Sequence, residues 1–369
     1  MTTAALEQRL DEFAAQGVEI VDPRQTFIAP DVSLHRVRPG ATLHPGTRLH
    51  GARTFLAEGA QVGTEGPATV RDAVFGRGAS IASGYVEGAV LFPGSSLGAA
   101  AHVRPGTILE EEASTAHAVG LKHTVLLSFV TLGSLINFCD CLMAGGTSRR
   151  DHSEVGSGFI HFNFTPWGAR GDKATASLFG DVPRGVFLRE PRIFLGGAAG
   201  LVGPGSVGFG GITGAGQVVR KPVGAGRLSL QPIRELDVER DPAHLDGAQP
   251  RAERNIAYIA NLVALRAWYR HVRLPQARTE SGRIVVEAGI GTLGICIAER
   301  VKRLEAFLAE RDEPMPSLDL EPGVQGSCPL DPGTSSAAED HVAWVQSLDL
   351  QSVRRGVRWL QSVVDAVAG

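Results

Sequence analysis

The sequence predicts a mainly β protein, a left-handed parallel β-helix of hexapeptide repeats, with a short N-terminal helix and an α-helical C-terminal domain. Three observations predict this fold. An aliphatic residue recurs every six positions, 36 of the 46 glycines lie before residue 231, and aromatic residues make up only 6% of the chain. This uneven composition does not fit a uniform α/β enzyme. We therefore expect an N-terminal helix at 1–19, a β-helix at 20–228 and helices at 229–369.

The first element is a short amphipathic helix. Leu6, Leu10 and Phe13 return at about helical spacing, and Gly17 ends the run. The segment lacks the apolar core of a secretory leader, so we predict no signal peptide.

The second element is the repeat region. VRPGA, LHPGT and LHGA begin six residues apart at Val37, Leu43 and Leu49, and the same step recurs between residues 91 and 109. One aliphatic side chain per repeat would point inward, and a glycine or small residue would form each corner. Three repeats would make a triangular coil of about 18 residues. A β-sandwich would show turns every 8–12 residues instead. Right-handed β-helices usually have longer, less regular coils, so we predict the left-handed form.

The third element is helical. Residues 252–272 predict a strong helix, residues 293–311 a second, and residues 337–367 one or two more. The segment 314–334, rich in proline and glycine, predicts a loop. These helices either form a small bundle or pack on the flank of the β-helix.

Charge and composition exclude several classes of function. A net charge of −3 provides no broad basic surface for nucleic acid or anionic membranes. The longest apolar stretch, 124–138, is too short and too polar to span a bilayer. Four scattered cysteines do not suit a disulfide scaffold. We expect a cytoplasmic protein with reduced thiols and no nucleic-acid or membrane partner.

Five segments carry a resemblance to a known family. They are VDPRQTFIAPDV (21–32), AHVRPG (101–106), AVGLKH (118–123), VGSGFIHFNF (155–164) and the glycine-rich run at 193–219. In this order they resemble the acetyltransferase half of the bacterial bifunctional N-acetylglucosamine-1-phosphate uridyltransferase/glucosamine-1-phosphate N-acetyltransferase, a hexapeptide-repeat acyltransferase. The resemblance covers about residues 20–222. It implies a homotrimer that transfers acetyl from acetyl-CoA to a phosphorylated or nucleotide-linked amino sugar.

Two departures from the family stand out. The family's nucleotidyltransferase domain precedes its β-helix, whereas here about twenty residues do, so we do not expect uridyl transfer. The family's catalytic histidine, which follows an asparagine, has no counterpart in GSLINFCDCLMAGG (133–146). Depending on the anchor chosen, Asn137–Phe138 or Asp140 stands there. These departures favour the alternative that the protein binds a sugar nucleotide, or acts as a scaffold, without catalysis.

The resemblance implies a set of substrate-binding residues. Arg104 and Lys122 match the family's phosphate-binding cations, and Asn163 matches a substrate-contacting asparagine. Lys173 lies near a loop lysine of the family, and Trp167 could stack on a sugar or base, or equally plug the cleft. The alternatives are solvated surface charge for the cations and an internal asparagine ladder for Asn163. The predicted set is Arg104, Lys122, Asn137, Asn163, Trp167 and Lys173.

Three residues are candidates for the general base that takes the amine proton. Asp140, between two cysteines, would gain a raised pKa if it were buried in a cleft, but it could be a turn aspartate. His152 has a suitable imidazole but lies in a charged, loop-like segment. His161 could share the cleft of Asn163.

The remaining predictions concern acetyl-CoA and metals. The resemblance implies that small residues at Gly197, Gly203 and Gly211 let the arm of acetyl-CoA, as co-substrate, lie along the coils. No metal site is predicted. His117 and His123 are six residues apart and would diverge on different sides of a triangular coil unless a neighbouring subunit intervenes, whereas zinc ligands must converge.

Overall fold

The computed structural model describes residues 2–166, 171–230, 248–322, 328–332 and 340–367. Within these residues the repeat region forms a parallel β-helix of about eleven coils, flanked by a short N-terminal helix and a C-terminal helical region. The predicted fold class is therefore confirmed. The helices are α1 Thr3–Ala15, α2 Val182–Gly185, α3 Ala248–Trp268, α4 Leu274–Gln276, α5 Glu280–Ala309, α6 His341–Ser347 and α7 Leu350–Val367, with 3-10 turns at Pro23–Gln25 and Leu34–Arg36 and a π-helical turn at Tyr269–Arg273.

Helix α1 closes the N-terminal end of the β-helix. The Thr2 side chain accepts a hydrogen bond from the Ala5 amide and caps the helix. Leu10 and Phe13 are buried, as their spacing predicts. Among the helices that the structure describes, none combines the length and the apolar character that a bilayer crossing requires.

One side of the triangular β-helix, here called the open face, is an eleven-stranded parallel sheet within the described residues. Its strands are β1 Glu19–Ile20, β3 Thr42–Leu43, β6 Gln61–Val62, β9 Ser80–Ile81, β12 Ser96–Leu97, β15 Ser114–Thr115, β17 Thr131–Leu132, β21 Glu154–Val155, β24 Phe194–Leu195, β27 Ile212–Thr213 and β29 Leu228–Ser229. Successive side chains of a strand point to opposite sides. The second residue of most pairs is accordingly buried in the core while the first faces outward.

The other two sides belong to one sixteen-stranded sheet of the described chain. The first, the groove face, consists of β2 Phe27–Ile28, β4 Arg48–His50, β7 Ala68–Arg71, β10 Gly84–Glu87, β13 Ala101–Val103, β16 Gly120–Leu126, β18 Asn137–Met143, β22 Ile160–Phe162, β25 Gly200–Val202 and β28 Val218–Val219. The second, the covered face, consists of β5 Phe55–Leu56, β8 Val74–Phe75, β11 Ala89–Leu91, β14 Thr107–Leu109, β23 Ser177–Phe179 and β26 Ser206–Val207, with the second halves of β16 and β18. A short hairpin, β19 Gly146–Ser148 and β20 Asp151–His152, projects from this framework.

The C-terminal helices pack on the covered face. Helix α5 contacts β8, β11 and β14, α3 contacts β23, and α7 packs on α3. Strands of this face bury both of their sides, as the pairs Val74–Phe75 and Val90–Leu91 do. The structure therefore shows both arrangements that the sequence leaves open, because the helices lie on the flank of the β-helix and α3 also packs on α5 and α7.

Helix α5 starts thirteen residues earlier than the hydrophobic pattern predicts. Thr279 caps it by accepting a hydrogen bond from the Gly282 amide. Several glycines in its first half obscure the helical pattern, since glycine weakens isolated helices. Gly289 has a packing reason, because a Cβ there would lie 2.7 Å from the ring of Tyr269. Tertiary packing thus overrides the local propensity.

A buried ionic network joins the helices to the covered face. The Tyr269 hydroxyl donates to Glu110 Oε1 at 2.7 Å. Arg273 lies 3.3 Å from Glu110 Oε1, donates to the Glu111 carboxylate, and stacks over the Phe92 ring. Burial raises the pKa of Glu110, against the opposing charge of Arg273. Both carboxylates are buried, and Arg273 supplies the positive charge that offsets the cost of burying their negative charges.

Candidate functional site

The candidate site lies at the corner between the groove face and the covered face, where β16 and β18 pass from one side to the other. His123 and Asp140 form this corner with φ angles of 48° and 61°. The same left-handed geometry occurs at other corners, such as Ala100 and Glu112, so it follows from the coil rather than from a site. In the preceding coil, Gly106 takes the corner because a side chain there would collide with the His123 ring.

Asp140 is the centre of a buried cluster. Its Oδ1 lies 2.9 Å from Arg300 Nη2 and 3.5 Å from His123 Nδ1. Its Oδ2 accepts a hydrogen bond of 2.8 Å from Asn163 Nδ2. Helix α5 supplies Arg300, and Cys296, one turn earlier, donates to the Gly106 carbonyl at 3.1 Å. The cluster therefore combines three successive coils with one helix from the C-terminal region.

The partners of Asp140 decide its protonation. Burial alone would raise the pKa of this carboxyl. The hydrogen bond with His123, the charge of Arg300 and the bond from Asn163 outweigh burial and hold the pKa at about 2. The sequence predicts a raised pKa for Asp140 buried in a cleft, and the structure reverses that expectation. The role of Asp140 as a base stays a prediction, but so weak a base takes an ammonium proton poorly.

Two cations lie beside this cluster on the groove face. Val103 pairs with Leu121, and the Arg104 amide bonds to the Leu121 carbonyl, so Arg104 and Lys122 are neighbours on adjacent coils. Lys122 in turn pairs with Cys139. No carboxylate within the described ranges forms an ion pair with either cation. The structure thus brings the two predicted phosphate-binding residues together.

Asn137 and Cys139 continue this surface. Cys139 Sγ donates to Asn137 Oδ1 at 3.0 Å, and Arg104 Nη2 lies 3.6 Å from the same sulfur. Burial raises the pKa of the Cys139 thiol, which the positive charge of Arg104 opposes. Asn137 is exposed, in the column next to the cations. It is therefore placed where a ligand bound by Arg104 and Lys122 could reach it.

His161 points into the core of the β-helix rather than into a cleft. It is 1% exposed and packs against Phe138 and Phe179. Its Nδ1 lies 2.7 Å from the Cys139 carbonyl oxygen, so we assign the ring proton to Nδ1, and the Ser177 hydroxyl donates to Nε2. Burial lowers the pKa of His161 to about 4. The arrangement is that of a neutral core histidine.

His152 lies at a different corner of the triangle. It belongs to the β19–β20 hairpin, and its Nδ1 lies 2.9 Å from the Arg149 carbonyl oxygen. The Arg149 side chain fastens this hairpin by donating to the carbonyls of Glu112 and Phe129, between the covered and open faces. The structure therefore does not bring His152 to Asp140.

The other predicted substrate residues fall in separate places. Asn163 joins the Asp140 cluster, and its side chain is committed to that carboxylate. Lys173 is exposed, next to the bridge between Thr165 and Asp172. Trp167 lies outside the described residues.

Close contacts within the chain itself explain why glycine stands at the three positions predicted to admit the arm of acetyl-CoA. A Cβ at Gly203 would collide with the Thr175 carbonyl oxygen, and one at Gly211 would lie 2.7 Å from the Gly208 carbonyl oxygen. A Cβ at Gly197 would lie 2.8 Å from the Ser157 carbonyl oxygen. The approaches at Gly203 and Gly197 are between neighbouring coils, and that at Gly211 is within one turn. They do not outline a cradle for the coenzyme, whose binding there stays a prediction.

No group of three His, Cys, Asp or Glu side chains suited to a metal occurs in the part of the chain that the structure describes. His117 Nδ1 lies 2.9 Å from the Ser134 hydroxyl, whereas His123 contacts Asp140. The four cysteines, Cys139, Cys141, Cys296 and Cys328, are free thiols, as predicted.

Two residues of the cluster, His123 and Arg300, are not among the catalytic candidates that the sequence provides. His123 follows Lys122 directly, and this adjacency to a predicted ligand residue was the available signal. Arg300 lies 160 residues from Asp140 in the sequence, and no local pattern distinguishes it from the other charges of α5. Only the packing of that helix reveals the pair.

Comparison with known proteins confirms the resemblance. The chain is 30% identical to the bifunctional protein GlmU of Kineococcus radiotolerans over 239 residues, 65% of this chain and 43% of the relative. It is 30% identical to GlmU of Pseudarthrobacter chlorophenolicus over 237 residues, 64% of this chain and 43% of the relative. GlmU of Thermus thermophilus is 34% identical over 154 residues, 42% of this chain and 31% of the relative. The chain thus matches less than half the length of these relatives. No family model matches the chain.

Proposed function

We propose that the protein transfers an acetyl group from acetyl-CoA to the amine of a phosphorylated or nucleotide-linked amino sugar. The observation that carries this proposal is the pair Arg104 and Lys122, two neighbouring cations without a carboxylate partner among the described residues. Adjacent strands are about 4.8 Å apart, so one phosphate can contact both side chains. A phosphate bound there would also relieve the repulsion between the two cations.

The same corner offers a base for the reaction. We propose that His123 takes the proton of the attacking amine and that Asp140 is the positioning residue that orients its ring. His123 follows Lys122 in the sequence, and its Nδ1 faces the Asp140 carboxylate. A carboxylate held ionised by Arg300 favours an Nδ1–H tautomer and leaves Nε2 free to accept a proton. This role replaces the family histidine that the chain lacks.

The amine nitrogen forms a bond to the thioester carbon, and the carbon–sulfur bond breaks. The proton lost by nitrogen goes to His123 and then to the departing sulfur. Acetyl-CoA supplies the thioester when it is bound. The chain's own residues hold the phosphate and move the proton.

A second candidate function rests on Arg300. This guanidinium, on α5, is 3% exposed and forms an ion pair with Asp140. His123 is only 9% exposed beside it. A cluster so enclosed also suits a protein that binds a sugar nucleotide without catalysis. The predicted homotrimer is compatible with either function and stays a prediction.

The experiment measures thiol release from acetyl-CoA in the presence of amino-sugar phosphates such as glucosamine 1-phosphate. We expect turnover by the wild type and a loss of roughly 10²–10⁴-fold in kcat for His123→Gln. Lys122→Ala should mainly raise KM, because it removes a contact to the phosphate. His117→Gln, an exposed histidine six residues earlier, is the matched control.

The outcomes separate the two functions. If the wild type releases no thiol with any acceptor but binds UDP-N-acetylglucosamine directly, the binding function is correct. If His152→Ala loses turnover and His123→Gln does not, the base has been misassigned.

A further inference from the structure

Two aromatic rings stack on the groove face, next to the Arg104–Lys122 pair. Tyr85 pairs with His102 across adjacent coils, and their ring centroids lie 5.6 Å apart at an interplanar angle of 23°. The Tyr85 hydroxyl donates to Glu87 Oε2 at 3.0 Å, which orients its ring. Tyr85 is half-buried, whereas His102 is exposed. The stack is therefore formed within the chain itself, and its outer member is open to solvent.

The stack ends at a glycine. Gly120 pairs with His102 on one side and with Asn137 on the other. Its backbone does not adopt the left-handed conformation that favours glycine, and a Cβ built there would meet no heavy atom closer than 3.9 Å. Neither the backbone nor the packing of the described chain therefore requires glycine at this position.

The absence of a side chain at Gly120 leaves a gap between His102 and Asn137, here called the Gly120 slot. These two residues are two strand steps apart, or about 10 Å. One step, about 4.8 Å, is within the ~4.5–7 Å centroid spacing of stacked rings. A planar ring in the Gly120 slot would therefore continue the stack of Tyr85 and His102.

The Gly120 slot and the cation pair lie on the same strand. Gly120 and Lys122 are outward residues of β16, separated by the buried Leu121 and therefore about 6.6 Å apart. His123, the proposed proton acceptor, follows at the corner. Along β16 the order is thus ring slot, phosphate-binding cation and proton acceptor. A nucleotide sugar carries its nucleobase, its phosphates and its sugar in the same order, whereas a simple amino-sugar phosphate has no ring for the slot.

We infer that the Gly120 slot holds the nucleobase of the acceptor, which is therefore a nucleotide-linked amino sugar rather than a simple sugar phosphate. The nucleobase stacks on His102, as bases do on exposed aromatic side chains, and its 5′-phosphate contacts Arg104 and Lys122. This inference rests on the proposed function, because the amine of the same acceptor must reach His123.

The experiment is calorimetric titration of the full chain, without acetyl-CoA, with UMP, AMP and ribose 5-phosphate. Ribose 5-phosphate carries the same phosphate and pentose but no base. We expect at least one nucleotide to bind about tenfold more tightly than ribose 5-phosphate, because only the nucleotides can stack. Gly120→Val should abolish this advantage by filling the slot. Ser96→Val, at an outward position of the open face, is the matched control and should change neither affinity.

A second variant tests the stacking surface directly. His102→Ala should weaken the nucleotide about tenfold and leave the affinity for ribose 5-phosphate unchanged. Lys122→Ala should weaken all three ligands, because each carries the phosphate. His35→Ala, which removes another exposed histidine, should have no effect. Circular dichroism melting checks that each variant is folded.

The outcomes separate this inference from the proposed function. Equal affinity of the wild type for the nucleotides and ribose 5-phosphate overturns the inference alone, as does an undiminished nucleotide advantage in folded Gly120→Val and His102→Ala. If none of the three ligands binds at millimolar concentration, the phosphate pair fails and the proposed function fails with it. Coenzyme A should not displace the nucleotide. If it does, and Gly120→Val weakens it equally, the slot belongs to the coenzyme and the inference is overturned.

Discussion

The covered face and the open face of the β-helix are built from the same six-residue repeat, yet their outer positions differ. On the open face, the outward column is polar for eight coils, from Glu19 to Glu154, and apolar only at Phe194, Ile212 and Leu228. On the covered face both columns are apolar through most of the stack. The inward residue of each repeat therefore forms the core. The outward residue determines whether a face packs against helices or is exposed to solvent.

The two faces also differ in where buried charges lie. The helices bring Arg273 to Glu110 and Glu111, and Arg300 to Asp140, at or next to the covered face. In the outward column of the open face, the polar residues are partly or fully exposed to solvent. Substitutions should therefore lower the free energy of unfolding strongly at the covered face and little at the open face. Three predictions test this difference.

The largest expected effect is the loss of stability when a charged residue replaces an outward-facing residue of the covered face. Val90→Asp, on the covered face, should lower the free energy of unfolding by about 4 kcal/mol or more, because a carboxylate would be buried under α5 without a partner. Urea denaturation followed by circular dichroism measures this. Ser80→Asp, at an outer position of the open face, should change it by about 0.5 kcal/mol or less. Similar losses for the two variants would show that the helices do not cover this face.

The second prediction concerns the buried network. Arg273→Met should cost about 3 kcal/mol or more in unfolding free energy, since it leaves Glu110 and Glu111 buried without their cation. Arg270→Met is the matched control three residues earlier. Its partner Glu321 is largely exposed, so about 1 kcal/mol or less should be lost. Equal denaturation midpoints for Arg273→Met and the wild type would contradict a buried network.

The third and smallest prediction is a pH dependence. The pKa of Asp140 is about 2 in the folded protein against its ordinary value of 3.8, so its ionised form favours folding. This contribution, about 2 kcal/mol, is complete above pH 5 and is lost as the pH falls through 3.8 towards 2. The stability advantage of wild type over Asp140→Asn should shrink by about 1 kcal/mol between pH 5 and pH 3.

Denaturation at several pH values tests this dependence, with Asp22→Asn as the control. Asp22 is held by its neighbour Arg24 on an exposed turn, without a buried partner. Its replacement should alter the pH dependence less than that of Asp140. An advantage of wild type over Asp140→Asn that stays constant down to pH 3 would mean that the carboxylate is not held ionised by Arg300 and His123.

The candidate site shows how far sequence reasoning extends. The resemblance implies that Arg104 and Lys122 both bind phosphate, and their separation by one coil agrees with the stacking of equivalent repeat positions. The same reasoning fails for His152 and His161. A hairpin carries the first to another corner of the triangle, and the alternation of β22 turns the second into the core. A shift of one residue decides which side of a strand a side chain occupies.

By itself, then, the sequence determined the β-helix, the short first helix and the presence of helices after residue 248. These follow from local periodicity, which needs only neighbouring residues in the chain. The tertiary structure alone decided that α5 starts at Glu280, that the helices cover one face, and that Arg300 joins His123 in holding Asp140 ionised. Such contacts join segments far apart in the chain, and their energies depend on burial, which no local pattern encodes.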